Sequence, residues 1–315
     1  MMNFDQRKTK AFAIMLFLAH AVVVSGSASV IEDARKAVET GQSEKAVAML
    51  DKAAAAGSAE AMYQLGMLYT QGVGEVDRDL DRSDFYLQSA ADAGFGEALS
   101  YLGQRDESAA KAAAAKPERE KLFGKAREYY QRGVEAGNQD CRFYHARLLI
   151  DGFGGAQDVA AALRTYHELA SDGNLRAMNE LGIRYREGSW VDKNHATALG
   201  WFLIAAEKGS VASMTNLGLC YEKGVGVPVN PDRAGSWYSR ASKTGYAPAQ
   251  FLIGKMFEHG RGTKKNPVFA YVNYFRAAAS GYADAKEARD AIKVSLNPEQ
   301  LLEAESVLKS GGKGN

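Results

Sequence analysis

Three short stretches hold residue types able to do acyl-transfer chemistry. Ser108-Ala109-Ala110-Lys111, Ser171-Asp172-Gly173 and Lys243-Thr244-Gly245 follow the order of the Ser-x-x-Lys, Ser-Asp-Asn and Lys-Thr-Gly signatures of penicillin-recognising serine enzymes. In such a site a serine attacks a carbonyl while a neighbouring base takes its proton, so the groups must converge within a few ångströms. Other chemistry has thinner support. Cys141 and Cys220 are the two cysteines. His145, His167, His195 and His259 lie too far apart for a two-histidine metal motif, and none sits in an H-E-x-x-H pattern, so no metal site is expected. The Gly-x-Gly pairs at 72/74, 152/154, 224/226 and 260/262 invite a phosphate-cradle reading, but such loops follow a strand and open a helix.

Whether these residues can converge depends on the elements that hold them. Glycines recur as Gly57, Gly94, Gly137, Gly173, Gly209, Gly245 and Gly281, at spacings of 37, 43, 36, 36, 36 and 36. Four residues after each comes Ala61, Ala98, Cys141, Ala177, Ser213, Ala249 or Ala285. Leu65-Gly66, Leu102-Gly103, Leu181-Gly182, Leu217-Gly218 and Ile253-Gly254 follow, then an aromatic at Tyr69, Tyr185, Tyr221 and Phe257. Within one repeat Ser213, Leu217 and Tyr221 fall on a single helical face. Gly218 in a helix interior costs about 1 kcal/mol, so its recurrence predicts a second helix in close approach. Gly224 and Gly226 end the first helix. Asn230-Pro231 and Asn266-Pro267 start the second, with Asn194 and Asp158 as the equivalent caps. Each repeat is therefore an antiparallel helix pair, and stacking of pairs supplies a continuous core.

This register removes the catalytic reading of the three triplets. Ser171 and Lys243 occupy the same repeat position two repeats apart, on the order of 20 Å by helix spacing. The Gly-x-Gly pairs become helix-ending turns. Cys141 and Cys220 are placed beyond the ~7 Å reach of a disulfide, so two free thiols are expected. His145, at a core leucine position, is expected to be a hydrogen-bonded buried imidazole.

Segments outside the regular repeat have their own signals. Arg7, Lys8 and Lys10 precede the apolar run Ala11–Val24, and Gly26-Ser27-Ala28 offers small residues for cleavage, the layout of a signal peptide over 1–28. The run is shorter than the ~20 residues needed to span a bilayer. Residues 29–60 are expected to be N-terminal capping helices, with 31–57 supplying only a closing helix. Residues 61–284 then form about six repeats. An insert at 104–124 reads as a helix extended past the stack and interrupted at Pro117, either a partner-specific projection or a tolerated insertion. Residues 285–315 read as one amphipathic capping helix and a flexible tail. With 46% hydrophobic and 24% charged residues, and 39 Lys+Arg against 38 Asp+Glu, no charge excess suggests nucleic acid.

Over "ASMTNLGLCYEKGVGVPVNPDRAGSWYSRASKTGYAPA" the chain resembles the SEL-one-like repeat (SLR) family, related to tetratricopeptide repeats. The resemblance covers about residues 31 to 300 and weakens where Asp106 and His145 occupy apolar positions. It implies an all-α, right-handed α/α superhelical solenoid of antiparallel helix pairs. It also implies a non-catalytic scaffold for proteins or peptides in the bacterial envelope, exported and without a stable membrane anchor, needing no cofactor. Weak β-lactamase or penicillin-binding activity is the enzymatic alternative, and structural assembly through the insert the third reading.

The first helix of each pair is expected to line the inner, concave face. Its face away from the core reads Tyr63 and Met67; Phe143 and Arg147; Asn179, Ile183 and Arg186; Thr215, Leu219 and Glu222; Phe251, Lys255 and Glu258. Aromatic, Met and Arg side chains favour interface hot spots, and Asn or Arg can hold a peptide backbone or carboxylate.

Overall fold

The repeat glycines sit where the chain turns into each new helix pair. Gly57, Gly94, Gly137, Gly173, Gly209, Gly245 and Gly281 all have φ between 77 and 100°, a region that costs an L side chain about 1–2 kcal/mol. Immediately after four of these turns Ser58, Asn138, Asn174 and Ser210 cap the next helix, accepting backbone N–H groups two or three residues on.

The computed structural model describes residues 27–310. Their helices are α1 (Ser27–Glu39), α2 (Ser43–Ala55), α3 (Ala59–Gln71), α4 (Leu80–Asp92), α5 (Gly96–Ala112), α6 (Lys116–Glu135), α7 (Gln139–Asp151) and α8 (Val159–Ser171). They continue as α9 (Leu175–Glu187), α10 (His195–Glu207), α11 (Val211–Lys223), α12 (Pro231–Ser242), α13 (Ala247–His259), α14 (Pro267–Ala279), α15 (Ala283–Val294) and α16 (Pro298–Lys309). An isolated Val73–Val76 bridge is the β pairing among the described residues. Odd-numbered helices open a repeat and even-numbered ones close it.

The expected close approach within each pair is present. A Cβ on Gly66 would lie 2.6 Å from Leu87 Cγ, and one on Gly182 2.5 Å from Phe202 Cε1. Gly103, Gly218 and Gly254 face Tyr130, Tyr238 and Tyr274 in the same way. Large side chains of the closing helix therefore fill the space that glycine vacates on the opening helix, each burial contributing about 1.5–3 kcal/mol. The closing helices start on the expected caps. Asp158, Asn194, Asn230 and Asn266 each accept the N–H three residues on, at 2.9–3.1 Å.

The chain divides into two compact units, residues 1–165 and 166–315. In the first, one core gathers Ile31, Leu50, Leu65 and Tyr69, and a second gathers Leu87, Leu99, Leu102, Tyr130 and Leu148. In the second unit Phe202 and Leu217 share a core, Tyr238 and Met256 another, and Tyr274, Ile292 and Leu296 a third.

Three expectations need correction, and one residue departs from the repeat register. Residues 31–57 hold more than a closing helix, because α1 supplies the opening partner of α2. Pro117 does not interrupt a long helix: the break falls at residues 113–115, and Pro117 lies in the first turn of α6, where a missing N–H costs nothing. The insert thus lengthens the packed pair α5/α6. The C-terminal segment is two helices rather than one, since Asn297-Pro298 starts α16 with a capping box closed by Gln300, the same Asn-Pro signal that starts α12 and α14. Finally, Trp190 (φ 69°) holds the position filled elsewhere by Gly74, Gly154, Gly226 and Gly262. A left-handed tryptophan is uncommon and strained.

The basic and apolar stretches at 7–24 lie outside the described residues, as does the tail from residue 311.

Candidate protein-binding site

The residues expected to face a partner are in place on the opening helices, but packing engages most of them. On α3, Tyr63 and Met67 are buried in the core beside Leu87, with Tyr63 against the Phe95 ring at 5.4 Å. On α7, Phe143 is buried. Arg147 Nη2 lies 2.6 Å from both oxygens of the buried Glu107, and its guanidinium stands 4.8 Å over Tyr144. On α11, Thr215 is buried and its hydroxyl donates to Val211 O at 3.0 Å. Ile183 and Leu219 are half-buried against neighbouring core residues.

A polar network runs along the second unit. Asn179 Oδ1 accepts from Ser213 Oγ at 3.0 Å and from Asn216 Nδ2 at 2.9 Å. Arg186 Nη1 donates to Asn216 Oδ1 at 2.9 Å and stands 5.7 Å from the Phe202 ring centre. Glu222 accepts the Tyr238 hydroxyl at 2.7 Å and Glu258 the Tyr274 hydroxyl at 2.5 Å. Lys255 is exposed, its ammonium 5.9 Å from the half-buried Phe251 ring. Phe251 in turn meets Tyr274 and Tyr282 at 5.4 and 5.0 Å.

One rule explains the carboxylates. The residue four after the helix-interior glycine faces the closing-helix side chain that fills the gap. Where that side chain is tyrosine, the residue is glutamate: Glu107 with Tyr130 (3.0 Å), Glu222 with Tyr238, Glu258 with Tyr274. Where it is Phe202 or Leu87, the residue is Arg186 or Thr70. Burial and the neighbouring carboxylate push all three phenols well above the ordinary tyrosine range. Glu107 and Asn216 were not expected at this surface. The matched choice of tyrosine and glutamate, 16 to 23 residues apart, was the signal that could have found Glu107.

The other sequence candidates have local roles. Ser171 is exposed at the end of α8 and donates to His167 O at 2.9 Å. Lys243 ends α12, and Thr244 donates to Ala241 O at 2.8 Å. Ser108 is exposed on α5, while Lys111 holds Glu107 at 2.6 Å. Cys141 and Cys220 are buried. Burial pushes the Cys141 thiol up to about 12. His145 is half-buried rather than buried, and burial with the Arg127 charge keeps its imidazole below the usual range. Among the described residues no three His, Cys, Asp or Glu side chains gather as a metal site, and no helix is long and apolar enough to cross a membrane.

The Sel1 repeat family model matches residues 40–58, 59–95, 120–138, 175–210, 211–246 and 247–282, more than half of the chain. The chain belongs to the Sel1 repeat family. It is 34% identical over 123 residues to human protein sel-1 homolog 2, a match covering 38% of this chain and 17% of the human protein. Among solved structures it is similar to c5321, a protective antigen of uropathogenic Escherichia coli with an SLR fold. That match has a TM-score of 0.64 and 26% identity, and covers 96% of this chain and 62% of that one. It is also similar to a Sel1 repeat protein from Oxalobacter formigenes, with a TM-score of 0.65, 26% identity and coverage of 78% and 95%. The chain therefore spans less than a fifth of the human relative and under two thirds of the c5321 chain. The fold class expected from the repeat register, an all-α solenoid of stacked helix pairs, is that of these SLR structures, and Sel1 repeats form a scaffold for protein–protein interaction.

Proposed function

We propose that this Sel1 repeat chain is a non-catalytic scaffold that holds a protein or peptide segment along its opening helices, in the bacterial envelope after export. The observation that carries the reading is the hydrogen-bonded row Asn179, Asn216 and Arg186, with Glu222 fixed by the Tyr238 hydroxyl and exposed Lys255 over Phe251 on the opening helices of the same unit. Amide, guanidinium and carboxylate groups already fixed by neighbours lose little side-chain entropy on contacting a peptide backbone. Aromatic and basic side chains beside them suit an interface. In the first unit, buried Tyr63, Met67 and Phe143 pack the opening helices α3 and α7 from within.

Photo-crosslinkers placed at Asn179, Leu219 or Lys255, with a control at exposed Gly200 on α10, test the reading in an envelope fraction. The same discrete adduct from the three opening-helix positions, weakened in Arg186→Ala/Lys255→Ala, is the expected result. Adducts from the control alone would reject it. Export rests on the basic and apolar layout of residues 7–28. Its check is the intact mass of the envelope form, expected to begin at Ser29.

A further inference from the structure

A cleft of about 320 Å³ on the second unit is lined by Tyr221, Arg233, Ser236, Trp237 and Arg240. It is built from one stripe of α12: residues 233, 236, 237 and 240 share a helical face, closed by Tyr221 near the end of α11. Both guanidiniums are held in place by rings. Arg233 stands 5.4 Å over Tyr221 and donates to its hydroxyl at 3.3 Å. Arg240 stands 4.4 Å over the indole of Trp237. Among the described residues neither meets a carboxylate, including Asp232 at the start of the same helix.

The same arrangement occurs in the α3/α4 repeat, and there it is filled. Arg82 lies 5.4 Å over Tyr69 and bonds its hydroxyl at 3.2 Å. The cap Asp79 brings a carboxylate 3.4 Å from that guanidinium. Tyr86, at the Trp237 position, donates to Asp51 at 2.7 Å. In the α11/α12 repeat the neutral Asn230 replaces Asp79, and the register puts exposed Leu203 where Asp51 would be. A second arginine has been added while both acids have been removed. A site with two ring-stacked guanidiniums and no internal anion is complementary to a carboxylate.

We propose that this cleft receives a carboxylate from an acidic segment of a partner protein, whose aliphatic neighbour rests on Leu203. The site is formed by α12 with Tyr221 of α11 and does not depend on the reading of the opening-helix row. The carboxylate that Asp79 offers Arg82 and that Asn230 does not offer Arg233 marks where the ligand's carboxylate enters.

The test is fluorescence anisotropy of a labelled hexapeptide alternating glutamate and leucine, titrated with the full chain at low salt. The expected outcome is saturable binding, at least about tenfold weaker for the glutamine–leucine counterpart and for Arg233→Ala/Arg240→Ala. Asn230→Asp restores the internal carboxylate seen at Asp79, keeps a good helix cap, and is expected to weaken binding severalfold without removing any arginine. Circular dichroism and melting confirm that both variants fold. Equal binding of the two peptides, no binding below about 1 mM, or unchanged affinity in either folded variant would overturn the proposal.

Discussion

The phenol of Tyr238 on α12 donates a 2.7 Å hydrogen bond to Glu222 on α11, and its ring occupies the space that Gly218 leaves open. Glycine, ring and carboxylate act as one device, repeated at Gly254, Tyr274 and Glu258. The glycine lets the helices approach, the ring fills the approach, and the carboxylate satisfies the buried hydroxyl.

Adding a methyl group at the contact is therefore expected to be costly. Gly218→Ala forces the Tyr238 ring outward, an overpacking cost of about 1–3 kcal/mol, which outweighs the gain in helix propensity. Gly200→Ala, on a helical site with nothing within 4 Å, is expected to stabilise by up to about 1 kcal/mol. Urea denaturation of the two variants checks the opposite signs.

Removing the hydroxyl tests the polar half of the device. Tyr238→Phe is expected to lose about 0.5–1.5 kcal/mol, because the half-buried Glu222 can regain water. A double-mutant cycle with Glu222→Ala, which removes the acceptor, measures the coupling, and strictly additive losses would show that the bond contributes nothing.

Acid should destabilise the first unit through Glu107. Burial raises the affinity of this carboxyl for a proton, but the Lys111 hydrogen bond and the Arg147 charge outweigh it and hold it below the usual carboxylate range. A depressed folded value means that the unfolded chain binds the proton first. The stabilisation is present above the unfolded value near ~4.3 and is lost as pH falls through the folded value. Urea midpoints are expected to drop as pH falls below the unfolded carboxylate value, with a flatter profile in Glu107→Gln. Arg147→Ala removes one of the two cations that hold Glu107, leaving Lys111 and the Tyr130 hydroxyl in contact with it, and is expected to cost about 1.5–3 kcal/mol at neutral pH.

The thiols give a direct readout of packing. Cys141 has no exposed surface, and its Sγ sits where a Cβ on Gly133 would collide. A disulfide-exchange reagent at mildly alkaline pH is expected to label it in denaturant and leave the native chain unlabelled. Rapid native labelling would show that α6 and α7 open readily.

Much of the fold was legible because its signals are local. Gly57 through Gly281 need left-handed backbone, Asn230 and Asn266 need to cap a helix, and Gly66 through Gly254 need a near neighbour. Each requirement is written within a few residues. The same local signals act at Asn297-Pro298, which starts a helix as Asn230-Pro231 does, and at Pro117, which belongs to a first turn. Trp190 escaped because a tryptophan does not look like a glycine position, although its place in the register is the same.

The candidate surface was legible only as a row of positions. Sequence alone determined which residues share one face of each opening helix, away from the Ala–Leu–Tyr stripe, because helical periodicity fixes that face whatever surrounds it. Tertiary structure decided which of those groups are already engaged. Arg147 is bound to Glu107, 40 residues away, and Arg186 to Asn216, 30 residues away. Such bonds depend on how separate helices pack side by side, and on whether burial makes an unpaired charge too costly to leave. No periodicity within a single helix encodes that.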